Sequence, residues 1–219
     1  GRVTGEVKGN VALRKQQYRL SDNKVESIKI ARNFILGKVY NSRWILERAS
    51  RDYALRLDVE KIKKKSAFLA ESLGKIRKCE TPEELLGLEG EAASVYFSVF
   101  DELILQQKEE FYFHGRNKRP PLDNVNAMLS FAYSLLAGMC GAALEAVGLD
   151  PYVGFFHTDR PGRMSLALDL MEEFRGIMAD RFVLTLINKR IMKPEYFTKK
   201  ENGAVIMTDQ GRKTFLSAW

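Results

Sequence analysis

The chain has only two histidines, so each can be weighed on its own. His157 sits in GFFHTDRPGR, at what reads as a loop tip. The segment after it carries Asp169 and Glu172 three apart, which places them on one face of a helix. An imidazole and two carboxylates one turn apart can converge on a hard or borderline divalent cation. The same spacing also suits an exposed loop histidine beside ordinary surface acids. Glu89, in GLEGEAASVYF, aligns with Ala93, Tyr96 and Phe100, whereas Glu91 points to another side. A carboxylate among small and aromatic core residues needs a partner, a metal ion or a cation, because an unpaired buried charge is expensive. Glu91 reads as a solvated surface acid.

His114 lies in the loop HGRNKRPP and reads as a residue without a chemical role. Arg116, Lys118 and Arg119 are better candidates for phosphate, although Arg119 could instead pair with Asp123. No P-loop, dinucleotide glycine fingerprint, paired-cysteine zinc spacing or serine nucleophile elbow is present. Cys140, near Gly138 and Gly141, reads as small packing in a core helix. With Cys79 it makes two reduced thiols rather than a disulfide framework, as in a cytoplasmic protein.

These residues need elements to position them. The first twenty residues, with Val3, Val7, Val11 and Leu13 among glycines, read as short strands or an extended arm. Ser21 and Asp22 offer an N-cap for a long helix whose apolar face is Val25, Ile28, Ala31, Ile35, Val39 and Leu46. A second helix carries Ile62, Phe68, Leu69, Leu73 and Ile76. Thr81-Pro82-Glu83-Glu84 is a helix start, with a capping threonine, proline in the first turn and acids at the positive end of the dipole. From Asn124 to Leu144 there are 21 residues without a charge, long enough to cross a bilayer. Asn126, Ser130, Ser134, the high content of Gly and Ala and the lack of a positive cluster at its C-terminal end, where Glu145 follows, favour a helix buried on all sides in a helical core, and no membrane association. A further helix runs from about Ser165 to Lys189, and Asn202-Gly203 between alternating apolar residues predicts a β-hairpin. The fold expected is mainly α, a large helical bundle around one buried central helix, with a short extended or β segment at the N-terminus and a small hairpin near the C-terminus.

Composition bounds the function. Hydrophobic residues are 45% and charged residues 29%, which excludes disordered and collagen-like chains. The net charge of +7 is unevenly spread: residues 1–80 hold 20 Lys+Arg against 9 Asp+Glu, and residues 81–219 hold 15 against 19. A basic half suits a polyanion such as DNA, and an acidic half can collect carboxylates for a cation. A non-enzymatic helical module that binds DNA through the basic half is the alternative to an enzyme.

Five stretches then carry a resemblance. KVYNSRWILER, GLEGEAASVYF, GRNKRPPLDNVNAMLSFAYSLL, GFFHTDRPGRMSLALDLMEEFR and ENGAVIMTDQGRKTF resemble, in order and spacing, the CRISPR-associated integrase family of spacer acquisition. The resemblance implies a helical catalytic domain over residues 21–219, preceded by residues 1–20 as the end of a β domain through which full-length members form homodimers. It implies Mn2+ or Mg2+ held by Glu89, His157 and Glu172, with Asp169 in a supporting position. It also implies a phosphodiester transesterification that joins 3′ ends of short DNA duplexes to a repeat, together with the second CRISPR adaptation protein (Cas-two). Arg160 and Arg163, flanking the histidine loop, are expected at the scissile phosphate. Lys38, Arg43, Arg116 and Arg119 are expected to hold DNA further away. A neutral His157 ligand predicts activity lost at acid pH.

Overall fold

The computed structural model describes residues 11–219, and they form a mainly α-helical domain. Its spine is α2 (Lys24–Asp52), which packs along α3 (Val59–Lys78), α4 (Pro82–Phe97) and α6 (Ser165–Phe174). Ile28, Ala31, Ile35, Val39 and Leu46 of α2 are buried, as the apolar period requires, but Val25 at the start of the stripe is exposed. The cap of α2 is Asn23, whose Oδ1 accepts from Val25 N and Glu26 N, rather than Ser21 or Asp22. Thr81 caps α4 as the sequence predicts, accepting from Glu84 N.

The expectation of an extended segment at the N-terminus fails for residues 11–20, which lie in α1 (Val11–Asp22); residues 1–10 lie outside the described part. The helix has no continuous apolar stripe to announce it. It is held instead by polar contacts to the segment before His157. Gln17 Nε2 donates to Asp150 O and Val153 O at 2.8 and 2.9 Å, and Gln17 Oε1 accepts from Asp150 N. Ser21 Oγ donates to Gly154 O.

The uncharged helix α5 (Asn124–Ala146) is the one helix among the described residues long and apolar enough to cross a membrane, and its first half is core. Val125 to Leu129 are all buried. The second half departs from the expectation of burial on every side: Ser134, Gly138, Met139, Ala142 and Ala143 are exposed. Asp123 caps α5 by accepting from Asn126 N at 2.7 Å. After α6 a π-helical turn (Arg175–Asp180) leads into α7 (Arg181–Asn188), so the long helix expected from Ser165 carries one irregularity. The hairpin forms as predicted, β1 (Phe197–Lys199) antiparallel to β2 (Val205–Met207), with Gly203 at positive φ in its turn. Helix α8 (Asp209–Ala218) follows and buries Phe215. Both cysteines are free and buried.

Candidate metal centre

Two clusters meet on α6, one turn apart. The first is the seam where α2 packs against both α6 and α4. Gly37 allows the close approach, because a Cβ there would stand 2.7 Å from Glu173 Cγ on α6. Asn41, one turn on, donates to Glu173 O at 2.8 Å. Between them Lys38 reaches across, and its Nζ touches both Glu89 of α4 and Glu172 Oε2, the latter at 2.6 Å. Arg175 then grips Glu172 from below, its Nη1 lying 2.7 Å from Oε1 and 3.0 Å from Oε2. Burial alone would raise the Glu172 carboxyl, but Arg175 and Lys38 beside it hold it at about 2. It is therefore charged at neutral pH.

Beneath this pair lies a buried polar layer. Tyr133 Oη donates to Asp180 at 2.5 Å, and the Tyr133 ring is flanked by the guanidinium groups of Arg175 at 4.2 Å and Arg116 at 5.3 Å. Burial, then the Asp180 charge, push the Tyr133 phenol far above its usual range, while burial raises the Asp180 carboxyl. The π turn presents Arg175 and Asp180 to this layer.

The second cluster is the histidine loop. Asp169 is fully buried, and both of its oxygens are occupied. Oδ2 accepts from Phe155 N and Phe156 N at 2.6 and 3.0 Å; Oδ1 accepts from His157 N at 2.9 Å and lies 2.7 Å from His157 Nδ1. Gly154 makes room for this arrangement, since a Cβ there would stand 3.0 Å from Asp169 Oδ2 and 2.9 Å from His157 O. With Nδ1–H given to the carboxylate, the neutral ring keeps the Nε2 lone pair for an outside partner, the usual state of a metal-binding imidazole backed by a carboxylate.

The structure thus brings Glu89 to Glu172 through Lys38, and His157 to Asp169. Among the described residues, no group of three or more His, Cys, Asp or Glu side chains is assembled into a metal-binding cluster. Lys38, expected at a distance on the DNA path, instead stands between the two glutamates. Arg116 is likewise not a free phosphate contact. Its guanidinium donates to Asn126 Oδ1 at 2.6 Å and to Ser130 Oγ at 3.0 Å, pinning the 114–121 loop to α5. Arg163 donates to Thr158 O and, at 3.0 Å, to Thr158 Oγ1, and so closes the loop after His157. Arg43 lies 3.6 Å from Glu47 and over the Trp44 ring. Arg160 and Arg119 are exposed, and Asp123 bonds Asn117 and Asn126 instead of Arg119. His114 is exposed and stacks on Tyr112, and Glu91 is exposed. Sequence reasoning missed Arg175, Asp180 and Tyr133. The three-residue step from Glu172 to Arg175 was the available signal for the first of them.

The family model described as "CRISPR associated protein Cas1" matches residues 1–219. The chain is 48% identical over 217 residues to a CRISPR-associated endonuclease Cas1 of Chlorobaculum tepidum, covering 99% of this chain and 63% of that one. It is 50% identical over 222 residues to one of Rhodospirillum rubrum, covering 100% of this chain and 64% of that one. The chain therefore spans just under two thirds of these relatives' length. Among solved structures, a casposase bound to an integration product superimposes with a TM-score of 0.81 at 30% identity, over 95% of this chain and 59% of that one.

Proposed function

The chain belongs to the Cas1 family, and from that premise we propose that it is the catalytic part of a metal-dependent DNA endonuclease and integrase of CRISPR adaptation. Its reaction is transesterification: a 3′-hydroxyl of a short duplex attacks a repeat phosphodiester, and the displaced 3′-oxygen leaves in line. The observation that supports it most is the convergence of Glu89 and Glu172, from two different helices, on a single cationic group. Two carboxylates so placed, with an imidazole whose Nδ1 is engaged by Asp169 on the neighbouring loop, are donor types that suit Mn2+ or Mg2+. Glu89, Glu172 and His157 would hold the ion. Bound there, it would stabilise the charge that develops on the phosphoryl oxygens.

The chain's own residues do the rest. Asp169 fixes the ring and tautomer of His157, and Arg175 fixes the Glu172 carboxylate while leaving its Oε2 shared. Exposed Arg160, beside the histidine loop, is free to meet a phosphate, whereas Arg163 supports the loop that carries both. No side chain need act as nucleophile, since the DNA brings its own hydroxyl. Duplex DNA and the second adaptation protein, Cas-two, are the partners this reading requires, with a homodimer in the full-length protein.

The test is Mn2+-dependent joining of a labelled short duplex to a supercoiled plasmid, with wild type, His157→Ala and Glu89→Gln run in parallel. The expected outcome is joining in wild type and a loss of at least about 1,000-fold in both variants, with duplex affinity within about threefold of wild type. Full joining by either variant would remove that residue from the centre. Salt-dependent DNA binding with no Mn2+-dependent cleavage or joining would favour a binding module.

A further inference from the structure

Tyr96 carries a hydroxyl that neither cluster uses. Its side chain is 3% exposed, and its Oη, which accepts no hydrogen bond, lies close enough to the Asp180 carboxyl to interact with it as a donor. It lines a cavity of about 20 Å³ whose other polar residues are Lys38, Ser42, Arg175 and Asp180 and whose remaining wall is apolar, with Val39, Leu69 and Phe97 in it. A cavity of that size accepts one group as large as a water molecule, and an ammonium group is of that size. The cavity therefore has the size for a lysine head group, with the Asp180 carboxyl and the lone pairs of the Tyr96 hydroxyl as oxygen acceptors for it.

We propose that Lys38 is a built-in, exchangeable cation with two positions: its ammonium bridges Glu89 and Glu172, and it withdraws into the cavity beside Tyr96 and Asp180 when a divalent ion takes its place. The proposal rests on the metal-centre reading and deepens it by naming the group that competes with the ion. The ammonium now touches both carboxylates that the ion would need, and two cations cannot share that contact without strong repulsion. The two glutamates differ in what remains after the exchange. Glu172 keeps Arg175 on both oxygens and stays in place, while Glu89 gives up its ion-pair partner and becomes fully available. Lys38 is also one of the residues that line the cavity.

The experiment is calorimetric titration of Mn2+ alone, without DNA, into wild type, Lys38→Met, Tyr96→Phe and Glu89→Gln, with melting curves in chelator to confirm folding. Lys38→Met is expected to bind Mn2+ about tenfold more tightly, because the competing ammonium is gone. Tyr96→Phe is expected to bind it several-fold more weakly, because the second position loses its acceptor. A folded Lys38→Met with unchanged or weaker affinity overturns the exchange, and an unchanged Tyr96→Phe overturns the cavity as the second position. If Lys38→Met does not fold, Tyr96→Phe alone decides. Wild-type binding that Glu89→Gln leaves intact would instead overturn the metal-centre reading on which the proposal stands.

Discussion

Asp169 and Glu172 stand one turn apart on α6, and both are buried acids, but their surroundings differ. Asp169 is wrapped by three backbone N–H groups and an imidazole of a single loop, and no lone pair is left over for a ligand in the way. Glu172 is held by the side chains of Lys38 and Arg175, long and jointed groups from separate places. A carboxylate bonded to backbone amides builds shape, because those donors cannot leave without unfolding the loop. A carboxylate bonded to side-chain cations can change partners. The same functional group is thus held by fixed backbone donors in the histidine loop and by movable side-chain cations in the seam.

The comparison breaks most visibly at Asp169. Asp169→Ala would strand three backbone donors at once, and about 3 kcal/mol or more of stability should be lost in urea unfolding. A loss below about 1 kcal/mol would mean that the loop does not depend on the carboxylate. Acid comes next. In chelator, the Glu172 carboxyl sits near 2 in the folded chain against an ordinary 4.5. Its contribution is therefore present above about pH 4.5 and fades as the pH falls towards 2, by up to about 3 kcal/mol. Glu172→Gln should flatten that acid limb, and an unchanged limb would place the titration elsewhere. Gly37→Ala should cost about 1–2 kcal/mol in thermal melting, since the new methyl must displace the Glu173 side chain or push α2 away from α6. Smallest is Glu89→Gln, partly open to solvent, for which the expected loss is below about 1 kcal/mol.

Legibility in the sequence followed the strength of periodic signals. The stripes of α2 and α3, the Thr81 cap and the Asn202-Gly203 hairpin could all be read, because each follows from local spacing or turn chemistry. Helix α1 could not, because Gln17 and Ser21 hold it through a few polar contacts to residues more than 130 positions away. At the site, the inward face of Glu89 was legible from its alignment with Ala93 and Tyr96. The identity of its partner was not, because Lys38 comes from another helix, 51 positions away in the chain. Arg116 was misread for a related reason: a cation in a proline-rich loop looks solvated until the loop folds back onto Asn126 and Ser130.

The bonding of the loop to Asp169 also sets an order of assembly. Residues 155–157 take their common acceptor from a helix that begins eight residues after His157, so the imidazole is presented only once α6 has docked against the domain. A growing or half-folded chain would carry the same histidine and acids without holding them in register. The His157–Asp169 geometry would arrive late, with the finished tertiary structure.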